Sequence, residues 1–301
     1  MPEITFRPGT LDDSYTAFQI FEYSVLDLSQ RLGVMAITGG GDPAVLEKLW
    51  ESRRPLFEHL GRTAEHFWIA EAGGQAIGYA RSILRDGVRE LTEFFVLPSH
   101  QSGGVGRELL ARAFPREGAE HRTIIATSDS RALARYLKTG VYARFPIYSF
   151  SRTPEAAPVA TDLSIEPVSA APEILETLAV LDAAVLGHRR DVDHAFLLEE
   201  RQGYVYYRGR RPVGYGYVGF RSGPFALLNE EDFPAVLAHA ETQVAARGSE
   251  FGVEVPLINR AAVNYLLARG YRMDTFFTFF MSDAPLGKFE NYLFTSPPFF
   301  M

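Results

Sequence analysis

Leu91-Thr92-Glu93-Phe94-Phe95-Val96-Leu97-Pro98-Ser99-His100-Gln101-Ser102-Gly103-Gly104-Val105-Gly106-Arg107-Glu108-Leu109-Leu110 decides how the first half of this chain folds. An apolar strand runs into a proline, then a glycine-rich turn. An amphipathic helix follows, with Leu109, Leu110 and Ala113 on its apolar side. Gly103, Gly104 and Gly106 let the backbone turn tightly and expose successive N–H groups. Together with the positive end of the following helix, those N–H groups make a cradle for a pyrophosphate. The residues alone therefore imply a phosphate-bearing ligand. No Gly-Lys-Ser/Thr completes a P-loop, and no Gly-x-Gly-x-x-Gly opens a dinucleotide-binding unit.

Outside this stretch the chain repeats itself weakly. Phe6-Arg7-Pro8 before Thr10-Leu11-Asp12-Asp13 corresponds to Ile165-Glu166-Pro167 before Ser169 and Pro172-Glu173, a short strand leading to a helix start with Thr10 and Ser169 as N-caps. A hairpin, Phe67 to Ala80 turning at Gly73-Gly74, corresponds to Tyr204 to Gly216 turning at Arg208-Gly209-Arg210. A closing helix runs from Asp129 to a glycine at Gly140, and its counterpart from Asn259 to Gly270. Each half thus predicts a mixed β-sheet covered by helices, so the fold class is α/β (α+β) with two tandem sheets. The Pro/Ala-rich segment 153–161 reads as the linker between domains at 1–152 and 162–283, with an aromatic tail at 284–301. The first half also carries an extra segment around Leu32 to Pro43, including Gly39-Gly40-Gly41.

The spacing Gln101-x-x-Gly104-x-Gly106, preceded by Val96-x-Pro98, closely resembles the acetyl-coenzyme A motif of the GNAT superfamily of N-acetyltransferases. The family's pattern Asn/Asp-x-x-Ala-x-x-x-Tyr-x-x-x-Gly falls on Asp129, Ala132, Tyr136 and Gly140, with Val141 where an aromatic residue is usual. The resemblance covers most of residues 3–152. It implies that Phe95, Val96 and Leu97 offer main-chain hydrogen bonds to the pantetheine arm of acetyl-CoA. It places Gln101, Ser102, Gly103, Gly104, Val105, Gly106 and Arg107 around the pyrophosphate, and Asp129 or Ser130 near the cofactor. Tyr136 takes the place of the general acid that protonates the departing thiolate. For the base, Glu90 stands at a strand position that several family members use, and Glu93 is the second candidate; many members use a water chain instead. Strict alternation puts Glu90, Thr92, Phe94 and Val96 on one face, and Leu91, Glu93, Phe95 and Leu97 on the other.

The second half has no such turn. Its corresponding stretch, Ser222 to Ala235, offers Glu230, Glu231 and Asp232 at the helix start, charges that would repel a pyrophosphate. Leu266 stands in the tyrosine register, with Tyr265 displaced by one. This half resembles a degenerate GNAT copy with a structural or substrate-binding role. The run Gly187-His188-Arg189-Arg190-Asp191-Val192-Asp193-His194 fits no metal spacing and reads as a solvated loop, so no metal is expected. Tyr204, Tyr206, Tyr207, Tyr215 and Tyr217 read as residues covering a sheet face, with an aromatic pocket as the alternative.

Composition narrows the function classes. The 301 residues suit two domains, and the net charge of −7, from 30 basic and 37 acidic side chains, argues against general nucleic-acid or anionic-membrane binding. Cysteine is absent, which removes disulfides, thiol nucleophiles and thiolate metal sites. No signal-peptide pattern opens the chain and no apolar run approaches the ~20 residues of a membrane span, so a cytoplasmic protein is expected. The expected activity is N-acetyl transfer from acetyl-CoA to a small-molecule or peptide amine. A CoA or acyl-CoA sensor is the rival, and acyl transfer to a hydroxyl or of a longer chain a third reading. Phe289, Tyr292, Leu293, Phe294, Phe299, Phe300 and Met301 make the tail too apolar to hang free, so it is expected to dock on a domain or on a second copy in a homodimer.

Overall fold

The computed structural model describes residues 3–34, 42–156, 158, 160–219, 222–248, 250–296, 298 and 300–301. Most of the extra segment around Gly39-Gly40-Gly41 lies outside these residues, as do positions 157 and 159 of the linker and 297 and 299 of the tail. The chain forms two compact units, one of residues 1–124 and 129–141, the other of 125–128 and 142–301. Among the described residues no helix is long and apolar enough to cross a membrane.

In the first unit, β1 (Ile4–Pro8), β2 (Ala64–Ala72), β3 (Gln75–Arg85) and β4 (Val88–Val96) form an antiparallel run. The start of β5 (His121–Thr127) adds to it in parallel, which makes the sheet mixed, as expected. Gly73 and Gly74, both at positive φ, close the β2–β3 hairpin, a conformation glycine adopts without steric cost. The helices are α1 (Ser14–Leu32), α2 (Pro43–Thr63), α3 (Val105–Ala113) and α4 (Ser130–Lys138). Phe18 and Phe57 from α1 and α2 meet edge-on at 5.6 Å in the core. From α3, Leu109, Leu110 and Ala113 are buried, the apolar side read from their spacing.

The second unit repeats the plan with β7 (Leu163–Val168), α5 (Pro172–Val185), α6 (Asp191–Glu200), β8 (Gln202–Arg208), β9 (Arg211–Val218), β10 (Phe225–Leu227), α7 (Phe233–Ala245), β11 (Phe251–Pro256) and α8 (Arg260–Ala268). The N-cap of α5 is Ala171, not Ser169, whose carbonyl accepts from the Ala171 amide at 2.8 Å instead. Pro172 at the first helical position fixes this start, since its missing N–H costs nothing there. The strand β6 (Tyr142–Arg152) precedes the linker in sequence, yet it lies in this unit, between β11 and β12 (Arg272–Ser282) and antiparallel to both.

The charged run of this unit departs from the sequence reading. The His188–His194 run is no solvated loop, because His188, Arg190, Asp193 and His194 are all buried. Asp182 of α5, fully buried, accepts from Arg190 Nε at 2.8 Å and faces His194 Nε2 at 2.8 Å. Tyr215 donates to the same carboxylate, and the Tyr217 hydroxyl lies 2.7 Å from His194 Nδ1. Spacing cannot show this, since the partner carboxylate lies on another helix. Tyr204, Tyr206, Tyr215 and Tyr217 are core residues rather than pocket lining. The tail is packed as expected: Phe289, Tyr292, Leu293, Phe294, Phe300 and Met301 are buried, and β13 (Tyr292–Leu293) pairs with β10.

Candidate active site

The site begins at an irregularity in β4. Arg81 lies opposite Glu93, and Ser82 opposite Leu91, so Thr92 is an extra residue on β4, a β-bulge. Directly opposed residues of antiparallel strands share a face. Arg81 and Ile83 share one face of β3, so their partners Glu93 and Glu90 share one face of β4. The strict alternation expected from sequence, which separated the two glutamates, therefore fails at Thr92.

Just before the bulge the β4–β5 ladder ends, at Leu91 opposite Ile124. Among the described residues no strand pairs with that edge of β4 from Thr92 onward. This open edge is where the resemblance lays a pantetheine arm. Phe95 and Val96 lie on it, although the Val96 carbonyl accepts from Gln101 Nε2 at 2.9 Å. Leu97 is occupied at both ends: its amide donates to Ile77 at 2.8 Å, and its carbonyl accepts from His100 at 2.9 Å. Gln101 thus ties the turn to the strand with its side chain.

The three glycines of the turn differ in their roles. Gly104, at φ 88°, is the N-cap of α3, and only glycine adopts that conformation freely. Gly106 is helical, and a Cβ there would come within 3.0 Å of the Phe94 ring. Gly103 faces open space, so neither clash nor backbone demands glycine there. Ser102 also has positive φ, at 72°, and it is exposed together with Gly103 and Arg107. Val105 is buried and anchors the helix start. Among the described residues nothing accepts from the amides of Gly104, Val105 and Gly106, which are the orphan donors of a helix N-terminus. These are the amides to which the sequence reading assigned a pyrophosphate.

Phe94 links the cradle to α4. Its ring touches the Gly106 position and meets the Tyr136 ring at 6.0 Å, 63° between planes. Tyr136 is buried, and burial, aided by the charge of Asp129, raises its hydroxyl above the ordinary phenol range. Among the described residues none hydrogen-bonds that hydroxyl. Asp129 caps α4 by accepting from the Arg131 amide at 3.0 Å, and Ser130 is the exposed first residue of the helix. Burial works to raise the Asp129 carboxyl, but hydrogen bonds from Arg131 and the charge of Arg31, 3.2 Å away, outweigh it and hold the group below its ordinary value. Arg135 was not singled out from sequence, yet its Nε lies 3.7 Å from a Cβ placed on Gly106. A basic residue one before the motif tyrosine on a surface helix carries no signal that would separate it from a solvated arginine.

Both glutamates are buried. Glu93 accepts from Arg81 Nε at 2.5 Å and from the Tyr79 hydroxyl at 2.9 Å, in a pair with no exposed surface on either partner. The Glu93 carboxylate is thereby committed to Arg81 and Tyr79. Burial, with the Glu93 charge adding to it, keeps Tyr79 protonated far above the ordinary phenol range.

Residues 41–141 match the family model of the acetyltransferase (GNAT) family. That segment, about a third of the chain, is a GNAT domain. The matched segment ends at Val141, where the first unit also ends. No curated protein matches the chain. Among solved structures, a Pyrococcus horikoshii protein described as a candidate acetyltransferase is 16% identical, with 96% of this chain and 92% of that one covered at a TM-score of 0.72. A tandem GNAT protein from the clavulanic acid biosynthesis pathway is 12% identical over 94% of this chain and 99% of its own, TM-score 0.58. A GCN5-related N-acetyltransferase from Sphaerobacter thermophilus is 14% identical over 93% and 95%, TM-score 0.57. At these identities the likeness is one of fold, and it spans both units. Among the described residues no three His, Asp or Glu side chains converge as a metal site.

Proposed function

We propose that the first unit binds acetyl-CoA and transfers its acetyl group to an amine. The observation that carries this reading is the juxtaposition of a free amide cradle at Gly104–Gly106, the unpaired edge of β4 beside it, and Tyr136 packed on Phe94 between them. The cradle suits the pyrophosphate, and the β4 edge offers main-chain groups to the amide-bearing arm. That arrangement delivers the thioester toward the bulge. Arg107, exposed, and Arg135, beside Gly106, supply positive charge around the phosphates.

In the reaction the amine nitrogen attacks the thioester carbonyl, the tetrahedral intermediate collapses, and the C–S bond breaks as the amine loses its proton. Tyr136 protonates the departing thiolate. Its raised pKa keeps the proton in place at neutral pH, so it acts as a donor and not as a base. Glu93 is committed to Arg81 and Tyr79, which favours a water chain, with Glu90 the remaining candidate, as the route for the amine's proton. The acceptor is a small-molecule or peptide amine.

Turnover tests the proposal directly. Purified protein is incubated with acetyl-CoA and a panel of small amines and amino-terminal peptides, and free thiol is followed. Acceptor-dependent thiol release is expected. CoA binding without turnover of any amine would identify a sensor instead.

A further inference from the structure

The repeat fixes which residues of the second unit correspond to the open edge of β4. In the first unit Val96 lies opposite Gly78, and the next amide, Leu97, donates to Ile77 at 2.8 Å. In the second unit Leu227 lies opposite Gly214, and the next amide, Leu228, donates to Val213 at 2.8 Å. Phe94-Phe95-Val96 and Phe225-Ala226-Leu227 are therefore the same three positions. Their free edges differ in one respect: among the described residues that of the first unit carries no strand, whereas in the second Leu293 pairs with Phe225 and Tyr292 with Ala226.

The correspondence extends to the side chains around that edge. Gln101 donates to the Val96 carbonyl at 2.9 Å, and Asn291 of the tail donates to the equivalent Leu227 carbonyl at 2.7 Å. On the other side of the tail, the Phe294 amide donates to the Glu254 carbonyl of β11 at 3.0 Å, so the segment bridges β10 and β11. Tyr292, Leu293 and Phe294 have no exposed surface. The buried charge cluster has a place here too: Arg190, held by Asp182, donates to the Tyr292 hydroxyl at 3.2 Å. Gly223 completes the fit, since a methyl group there would overlap the Phe294 carbonyl oxygen.

We propose that the chain's own C-terminal strand occupies, in the second unit, the lane that the acyl-pantetheine arm takes in the first, and so closes that unit to acyl-CoA. The inference rests on the reading that the arm lies along β4. A peptide strand suits the lane because both ligands offer amide groups to the same strand edge, and the aromatic side chains of the tail fill the space beside it. The acidic helix start at Glu230 to Asp232 agrees with a lane that has no phosphate to hold.

Two measurements on the full-length chain test this. Hydrogen exchange should show the amides of Leu293 and Phe294 protected as strongly as those of β9, and Gly223→Ala should speed their exchange at least ten-fold while leaving α3 unchanged. Exchange of these amides at the rate of an open chain in the wild type would overturn the proposal. Gly106→Val, which disables the first cradle, should leave no CoA binding by calorimetry. A full equivalent of CoA still bound by that variant, displaced from it by no change in the first unit but lost on Ala226→Pro, would show the second lane open and also overturn it. If wild type binds no CoA at all, the reading of the first unit fails, while the exchange measurement still decides whether the tail is a bound strand.

Discussion

Gly104 and Gly106 stand two residues apart in one motif, and they are glycines for different reasons. Gly104 has a backbone conformation that disfavours a side chain, whereas Gly106 has Phe94 against it. Gly104→Val should strain the turn, and Gly106→Val should push Phe94 off Tyr136. Each is expected to take CoA binding below what calorimetry detects, a loss of well over ten-fold, each ten-fold being about 1.4 kcal/mol. Gly103→Ala, which meets open space, should leave affinity within about two-fold, and calorimetry with CoA distinguishes the three. Tyr136→Phe tests the acid: kcat should fall by roughly ten-fold or more with little change in the KM for acetyl-CoA, in steady-state assays where chemistry limits the rate. At this scale the glycine spacing located the turn, but of its three glycines only Gly104 answers a backbone demand. The sequence did not show that Leu97 is hydrogen-bonded at both ends or that Glu93 is locked by Arg81, since those depend on partners distant in sequence.

At the scale of elements, the hairpins and most caps were legible because their determinants are local, whereas α5 starts at Pro172 after Ala171 and not after Ser169. Asp129 and Asn259 cap their helices through their own side chains, as their position ahead of each apolar pattern predicts. The bulge at Thr92 was not legible. An extra residue in one strand is defined by its partner strand, and nothing in Leu91-Thr92-Glu93 marks it. The charged run at 187–194 misled for the same reason: its buried Arg190 and His194 are partnered by Asp182, which lies on the preceding helix and outside the run. That cluster makes a pH prediction. Burial works to raise the Asp182 carboxyl, but the charges of Arg190 and His194 and their hydrogen bonds prevail and hold it well below the usual carboxylate range. A depressed folded-state pKa gives stability that is present in full above the unfolded value, near 4, and is lost as pH falls through the folded one. Asp182→Asn leaves Arg190 buried without its counter-charge, which typically costs about 3–5 kcal/mol. The gap in melting temperature between wild type and Asp182→Asn should therefore be full at pH 7 and narrow as pH falls below about 4. A gap that is unchanged at pH 3 would remove Asp182 from the account of acid stability.

In the whole molecule, the two units share one plan but differ at the corresponding strand edge. The first kept a glycine turn with free amides. The second has an acidic helix start and buries its own tail, whose rings contribute about 1.5–3 kcal/mol each when fully removed from water. The sequence showed that the tail must be covered, because so apolar a segment is costly in water, but not where, since the receiving edge is polar backbone with no side-chain signature. Stoichiometry follows from this asymmetry. Calorimetry with CoA should give one site per chain, and the same single site should disappear with Gly104→Val. The enthalpy per mole of chain then drops to the level of buffer dilution, with no second weaker phase. Two equivalent sites in the wild type would mean that Glu230 to Asp232 do not exclude a pyrophosphate, and that the second unit is a working copy. One site that survives Gly104→Val would assign binding to the second unit and reverse the roles given to the two halves.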